Sequence, residues 1–502
     1  MICLNIKSLI FVEKIKMKNI FAILIFGMLV NCFPQKAYSQ GISKENALVA
    51  ATNFVQTHAP QMRVNDATTL MDNAVQLAWI INCRPQGFVI ISNSFDLPPV
   101  LAFSAEGNFG DGDIWETLTP ILLHDFAIRL QYIVSDKIGI EKNRKSWDEI
   151  LNLPKQNPDF QQWPPAGWSP TGGWLYTNWT QSAPYNGLCP VDPQTHQRSV
   201  AGCPATAMAQ ILNFHHTINN TRFSDADDYY HSFGSGNQFW IDDDWETRGF
   251  PSWSKLNEYL DTLDYHYTNE IPLNNTDKAA ITYACGVAAR QVYSPSVSGT
   301  YGIDQAYDAF VRFGFSDAIL MYPNDTSLNT HLAQNVMNAL PAHLGLVDPG
   351  VTVGHNVVVD GYSSDGFYHF NFGWGGSANG WYTMPPTNIP YNLTVIEGIV
   401  LDVNFSNAPV GISAEKEFLT PQIIFQQSSR TFQIHWPCND FQNVLISIAD
   451  VSGRVILKEQ NQFSLENHST KITLPGQMQG IFIVNLRTET GISNNQKFLI
   501  FN

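Results

Sequence analysis

Cys203 stands at the head of Gly202-Cys203-Pro204-Ala205-Thr206-Ala207-Met208-Ala209-Gln210-Ile211-Leu212, a glycine turn running into strong helix formers. Pro204 suits an early helical position, where its missing N–H costs nothing, and Ala205, Met208, Ala209 and Leu212 recur on one apolar face. A thiol in the first turn of a helix sits where the dipole favours its thiolate, the form that attacks carbonyl carbon. An inert buried cysteine in an alanine-rich helix would look the same on this stretch alone. The two readings separate on whether the chain supplies the other parts of an acyl-transfer centre: an imidazole to share the proton, a group to orient it, and donors for the oxyanion.

The best placed imidazole is His355, in Gly354-His355-Asn356-Val357-Val358-Val359-Asp360-Gly361-Tyr362. It opens an apolar strand, and Gly354 leaves room for a second group to approach. The chain turns at Ser363–Gly366 and returns as Phe367-Tyr368-His369-Phe370-Asn371-Phe372-Gly373-Trp374. Strands joined by so short a turn are antiparallel neighbours. Counted inward from the turn, His355 and Asn371 come level to within a residue or two. The Asn371 amide is therefore expected to accept from the imidazole N–H, with Trp374 covering that bond. His369 is a competing imidazole, mid-strand and without a preceding glycine, and Asp360 is the alternative orienter. Upstream, Gln181 in Trp179-Thr180-Gln181-Ser182 can join the Cys203 backbone N–H as an oxyanion donor. Alone, Gln181 reads as a surface polar residue and His355 with Asn371 as a satisfied sheet pair. The order Gln, Cys, His, Asn is harder to dismiss.

The elements around these residues divide the chain into five parts. Lys14, Lys16 and Lys18 precede an apolar run from Ile20 to Phe33, and Ala37-Tyr38-Ser39 gives a small-x-small cleavage signal, so 1–40 reads as a secretory signal peptide. A small α+β unit follows over 41–150: a helix from Ser43, strands at Val75–Ile81, Phe88–Ser92 and Val100–Ser104, and a helix from Thr119 to about Val134. Residues 151–171 carry Pro154, Pro158, Pro164, Pro165 and Pro170 and read as an exposed linker where an activating cut would fall, with Lys145 and Lys155 as candidate positions. The motifs lie in 172–405, with further helices near Ser254–Leu263 and Thr276–Val292. Over 410–502, seven short alternating runs broken by Gly, Asn and Pro turns indicate a small β-sandwich.

Composition narrows the function. A chain of 502 residues is too long for one core, and a net charge of −16 argues against nucleic acid or an anionic membrane as partner. Past the leader no run reaches the ~18 apolar residues of a membrane span. Seven cysteines show no CxxC pair and no grouping with histidines, so no metal and no cofactor are expected. The clusters Asp225, Asp227, Asp228 and Asp242, Asp243, Asp244 lack calcium-loop spacing, and His215-His216 reads as structural. Cys3 and Cys32 lie in the leader, which leaves an odd number of the seven in the exported chain and hence a free thiol, for which Cys203 is the candidate. The pairing of Cys189 and Cys285 stays open.

Together, Gln181 with Pro184-Tyr185-Asn186, Gly202-Cys203-x-Ala205-Thr206-Ala207-Met208-Ala209-Gln210-Ile211, Gly354-His355 to Asp360-Gly361-Tyr362, and Asn371-x-Gly373-Trp374-Gly375-Gly376 resemble the streptopain-like cysteine peptidases, clan relatives of papain. The resemblance covers about 172–404. It implies an α+β, papain-like two-lobed catalytic domain with Cys203 as nucleophile, His355 as base, Asn371 as orienter, Gln181 as oxyanion donor and Trp374 beside the dyad. It also implies substrate contacts from Ser298-Gly299 and Gly354. Pro204, Asn356 and Phe372 stand where valine, alanine and tryptophan are usual. Residues 41–150 resemble the family's inhibitory propeptide. The C-terminal runs, with Ile446-x-Ile448-x-Asp450, Gly453-Arg454-Val455 and Gly480-Ile481-Phe482-Ile483-Val484, resemble a type IX secretion sorting domain. The implied whole is a secreted or surface-held cysteine endopeptidase zymogen, exported through the periplasm, with peptide substrates, its own propeptide and the secretion machinery as partners. A catalytically silent binding protein on this scaffold is the alternative that Asn356 and Pro204 motivate. A transglutaminase-like acyl transferase is another, against which Asn371 counts because an aspartate is usual there.

Overall fold

The computed structural model describes residues 41–404, apart from 113, 133–136, 153–159, 235–236, 349–353 and 388–393, and the strands that follow residue 421. The expected signal peptide and the linker stretch holding Lys155 lie outside the described residues. Two compact units divide the chain after residue 406.

The first unit begins with helix α1 (Lys44–His58), whose N-cap Ser43 accepts from the Asn46 N–H. A meander follows, β1 (Arg63–Asp72), β2 (Val75–Arg84), β3 (Phe88–Ser92) and β4 (Val100–Ser104), then α2 (Ile114–Tyr132) and α3 (Lys137–Leu151). In β3 and β4 every residue is buried, as their unbroken apolar runs require. Only Ala67 and Leu70 of β1 are buried, so this edge strand carries almost no apolar signal. Helix α2 starts five residues before the expected Thr119, because Pro120 is accommodated inside the helix rather than opening it.

The expected exposed linker is docked over its second half. Trp163 is buried, β5 (Gln162–Trp163) pairs with Tyr362 and Ser363, and the Trp163 and Tyr362 rings stack at 5.9 Å. Apolar ring burial outweighs the proline-rich character of the segment.

Beyond it come α4 (Cys203–Phe214), a small hairpin of β6 (Tyr230–Ser232) and β7 (Gln238–Trp240), α5 (Trp253–Thr268), α6 (Asn275–Ala288) and α7 (Ile303–Arg312). Then follow β8 (Ile319–Met321), α8 (Leu328–Met337), β9 (Ala342–Val347), β10 (Gly354–Ser363), β11 (Phe367–Asn371), β12 (Gly380–Thr383) and β13 (Ile396–Leu401). Met208, Leu212, Leu260, Ile281 and Phe310 centre a helical core, and Leu344, Val357, Phe370, Phe372 and Ile399 centre a sheet core. The architecture is α+β.

Both parts of this unit share one antiparallel sheet, in the order β1-β2-β3-β4-β12-β11-β10-β9-β13-β8. The join is β4 on β12, with Phe103 level with Trp381 and Ala102 with Tyr382. Phe54 and Phe103 of the N-terminal segment share a core with Phe367 and Trp381. In the second unit, strands 422–426, 431–435 and 469–473 form one sheet and 442–450, 455–463, 480–488 and 493–500 another. Phe432 and Ile472 from the first share a core with Ile446 and Val484 from the second, which makes the unit a β-sandwich.

Candidate active site

Cys203 is the first residue of α4, and every residue from Cys203 to Leu212 is buried. The turn before it needs glycine: Gly202 has φ 85°, and a Cβ there would lie 3.0 Å from the Ser298 carbonyl oxygen and the Gln291 Oε1. The expectation of a free thiol at Cys203 is corrected, since Cys203 is disulfide-bonded, whereas Cys83, Cys189 and Cys285 are free. Burial keeps the three free thiols protonated. It pushes the Cys83 thiol up to about 11 and Cys189 up to about 12, and raises Cys285 well above the usual range. Thiols held protonated do not enter exchange, while a helix N-terminus favours the thiolate that does. Chemistry at Cys203 thus requires its reduced form.

His355 lies in β10, and its neighbour Asn356 donates its backbone N–H to the Cys203 Sγ at 3.4 Å. The expected register is corrected. Asn371 stands opposite Val358, three residues from His355, even though the bulge at Asp360, between Val359 and Gly361, brings it one residue nearer. The Asn371 amide does not reach the imidazole. Its Oδ1 accepts from the Gln210 Nε2 at 3.2 Å and the Gly373 N–H at 3.0 Å, and its Nδ2 donates to the Thr177 carbonyl at 2.8 Å. The His355 Nε2–H donates instead to the Phe372 carbonyl at 2.8 Å, which leaves Nδ1 as the unprotonated nitrogen, buried and without a hydrogen bond. Burial pushes His355 down to about 4, against the raising effect of the Phe372 carbonyl. The Trp374 ring lies 4.6 Å from the His355 ring.

Gln181 is buried, and its carbonyl accepts from the Ala201 N–H at 2.8 Å, tying its loop to the approach to Cys203. With Thr180, Ser182, Trp374 and Ser377 it lines a cavity of about 220 Å³ whose other wall is Gly112 and Ile114 of the N-terminal segment. Of the expected substrate residues, Ser298 is buried with its hydroxyl on the Ser294 carbonyl, and Gly299 pairs with Val292. Gly354 opens β10 opposite Val347.

The competing His369 is bound elsewhere. Its Nδ1 lies 2.6 Å from Asp360 Oδ1, while Asp360 Oδ2 accepts from the Leu175 N–H at 2.9 Å. Asp360 is thus occupied away from His355. Gly173 packs so closely that a Cβ would lie 2.2 Å from that carboxylate.

Motif matching gave no role to Gln210, whose Oε1 accepts from the Thr177 hydroxyl at 3.0 Å and the Trp179 N–H at 3.1 Å. It joins the cysteine helix, the Gln181 loop and Asn371. Asn379 also went unread; its Oδ1 takes the Phe372 N–H at 2.9 Å and its carbonyl accepts from the Ser104 hydroxyl of the N-terminal segment. A polar residue inside the alanine-rich face of α4 was the available signal for Gln210. Among the described residues no group of three or more His, Cys, Asp or Glu is placed to hold a metal ion, and no helix is long and apolar enough to cross a membrane.

Comparison with known proteins matches three stretches of the chain. Residues 179–382 match the Peptidase C10 family, 39–124 the Spi protease inhibitor family, and 428–501 the secretion system C-terminal sorting domain. Streptopain of Streptococcus pyogenes is 25% identical over 335 residues, covering 62% of this chain and 74% of that protein. The thiol protease/hemagglutinin PrtT of Porphyromonas gingivalis is 23% identical over 380 residues, covering 72% of this chain and 41% of that one. A fragment of Prevotella intermedia prointerpain A superposes with a TM-score of 0.47 at 21% identity, covering 69% of this chain and 100% of the fragment. The sorting domain marks the protein for secretion or the cell surface. The central part of the chain, residues 179–382, matches the peptidase C10 family, and the protein is a cysteine-type peptidase.

Proposed function

We propose that the chain is a latent secreted cysteine endopeptidase, held inactive by its N-terminal segment and acting through Cys203 and His355. The Cys203 S–H proton passes to His355 Nδ1, and the thiolate sulfur bonds to the substrate carbonyl carbon. The imidazolium then gives that proton to the leaving amine as the C–N bond breaks, and water hydrolyses the thioester. Gln181 and the Cys203 backbone N–H stabilise the oxyanion, Trp374 shields the imidazole, and Ser298, Gly299 and Gly354 border the bound peptide. Asn371 orients the base through the turn that carries the Phe372 carbonyl, rather than by direct contact.

The observation that carries this reading is the His355 tautomer, Nε2–H on the Phe372 carbonyl with Nδ1 bare, beside a cysteine at a helix N-terminus. Latency is supported by Gly112 and Ile114 walling the Gln181 cavity and by burial that keeps His355 uncharged. Activation is a cut in 151–171. Under reducing conditions the processed chain should hydrolyse peptides and Cys203→Ala should not; equal hydrolysis by both would end the proposal.

A further inference from the structure

Beside the sulfur stands a polar group for which the reaction above has no use. Asn356 occupies the position after His355 and is half-buried. Its Nδ2 lies 3.9 Å from Cys203 Sγ, on the same sulfur that takes its backbone N–H at 3.4 Å. The orientation of the amide is fixed from behind. His343, fully buried in β9, places its Nε2 2.7 Å from Asn356 Oδ1, and its Nδ1 has no hydrogen-bond partner. A neutral imidazole with a bare Nδ1 carries its proton on Nε2, so His343 donates to Oδ1 and turns the NH₂ towards the sulfur. The reverse orientation would aim an amide oxygen at a thiolate.

We propose that Asn356 is a catalytic donor: its side-chain amide, aimed by His343, hydrogen-bonds the Cys203 sulfur and stabilises the thiolate. This rests on the peptidase reading and adds to it a donor that the usual alanine at this position cannot supply. His343 is a positioning residue, since it acts through Asn356. The titratable groups bearing on the sulfur pocket are His355 and His343. Helix α7 presents the edge of Phe310 to His343 at 5.9 Å, β13 brings Val400 level with it, and α4 offers Cys203 only uncharged neighbours. Burial first, partly offset by the Asn356 hydrogen bond, pushes His343 down to about 4, so it stays a neutral donor throughout the range in which a thiol titrates.

The test is the thiolate absorbance near 240 nm of the reduced full-length chain against pH, taken as the difference from Cys203→Ala. This readout needs neither substrate nor access to the cleft. Asn356→Ala should move the Cys203 titration up by about one pH unit, roughly a tenfold loss of thiolate on the acid side. Asn356→Asp should move it further, because a carboxylate repels the thiolate. His343→Leu should reproduce the Asn356→Ala shift, and His343→Gln, which keeps an N–H donor near the Nε2 position, should largely restore the wild-type curve. Adding His343→Leu to Asn356→Ala should shift nothing more. An unshifted Asn356→Ala overturns the inference, and so does a His343→Gln curve displaced as far as His343→Leu. Peptide hydrolysis by the processed wild type tests the peptidase reading separately, so the two can fail independently.

Discussion

Cys203 is placed by a helix buried along its first ten residues, whereas His355 is placed by a strand in a sheet that the N-terminal segment extends. On the helix side, α4 packs on α6, α7 and β10, and the helical core it joins takes no residue from before the linker. On the sheet side, β10 rests on β11, β11 on β12, and β12 on β4 of the N-terminal segment. Two further ties cross the same boundary: His58 pairs with Asp365 at 2.8 Å, and Arg129 donates to the Thr383 and Met384 carbonyls at 3.0 and 2.8 Å. The helical core is thus free of the N-terminal segment, which reaches the site through the sheet and through Gly112 and Ile114 at the Gln181 cavity.

The largest effect is expected from supplying the N-terminal segment in trans. Residues 41–150 added to the processed enzyme should suppress hydrolysis almost completely, through the edge of β12 that the cut leaves open. Undiminished hydrolysis at high molar excess would remove the segment from the account.

A smaller effect is expected inside the site. Asn371→Ala should lower kcat more than it raises KM, by roughly ten- to hundred-fold, the cost of one lost orienting hydrogen bond of about 1–3 kcal/mol. Gln210→Ala should fall by a similar factor, because Gln210 holds Asn371, and the double variant should fall little further than either single one. Additive losses would mean that the two residues act separately.

The smallest effect per group is on stability. His231, His343 and His355 are buried and His215 half-buried, and all four are pushed down to about 4, by desolvation first in each case. Each stays neutral in the fold, while the unfolded chain takes up its proton near 6.5. The stability that this gives is present above pH 6.5 and lost as pH falls towards 4, at up to about 1.4 kcal/mol per pH unit for each histidine. Thermal unfolding midpoints should fall across that window, and a flat profile would contradict the buried, neutral assignment.

The same contrast explains what could be read in the chain. Helix α4, β3, β4 and the seven C-terminal strands were legible because each carries its own apolar period or run over a short stretch. The bulge in the strand pair that carries His355 and Asn371 was not. It exists because Asp360 is drawn out of the ladder, its carbonyl taken by the Trp174 N–H and its carboxylate by His369 and Leu175. Those partners sit about 185 residues upstream or on the facing strand, and no local count includes them. β1 was missed for the opposite reason, since an exposed edge strand has little to bury. Gln210 was visible as a residue but silent as a role, because its partners Thr177, Trp179 and Asn371 meet only in the fold.

Cys203 as nucleophile and His355 as its base can be tested by treating the reduced, processed chain with a thiol-directed epoxide and locating the adduct by mass spectrometry. One adduct should form, on Cys203 and far more slowly in His355→Ala, with Cys83, Cys189 and Cys285 unlabelled. No adduct on Cys203, or one that forms equally fast without His355, would contradict that assignment.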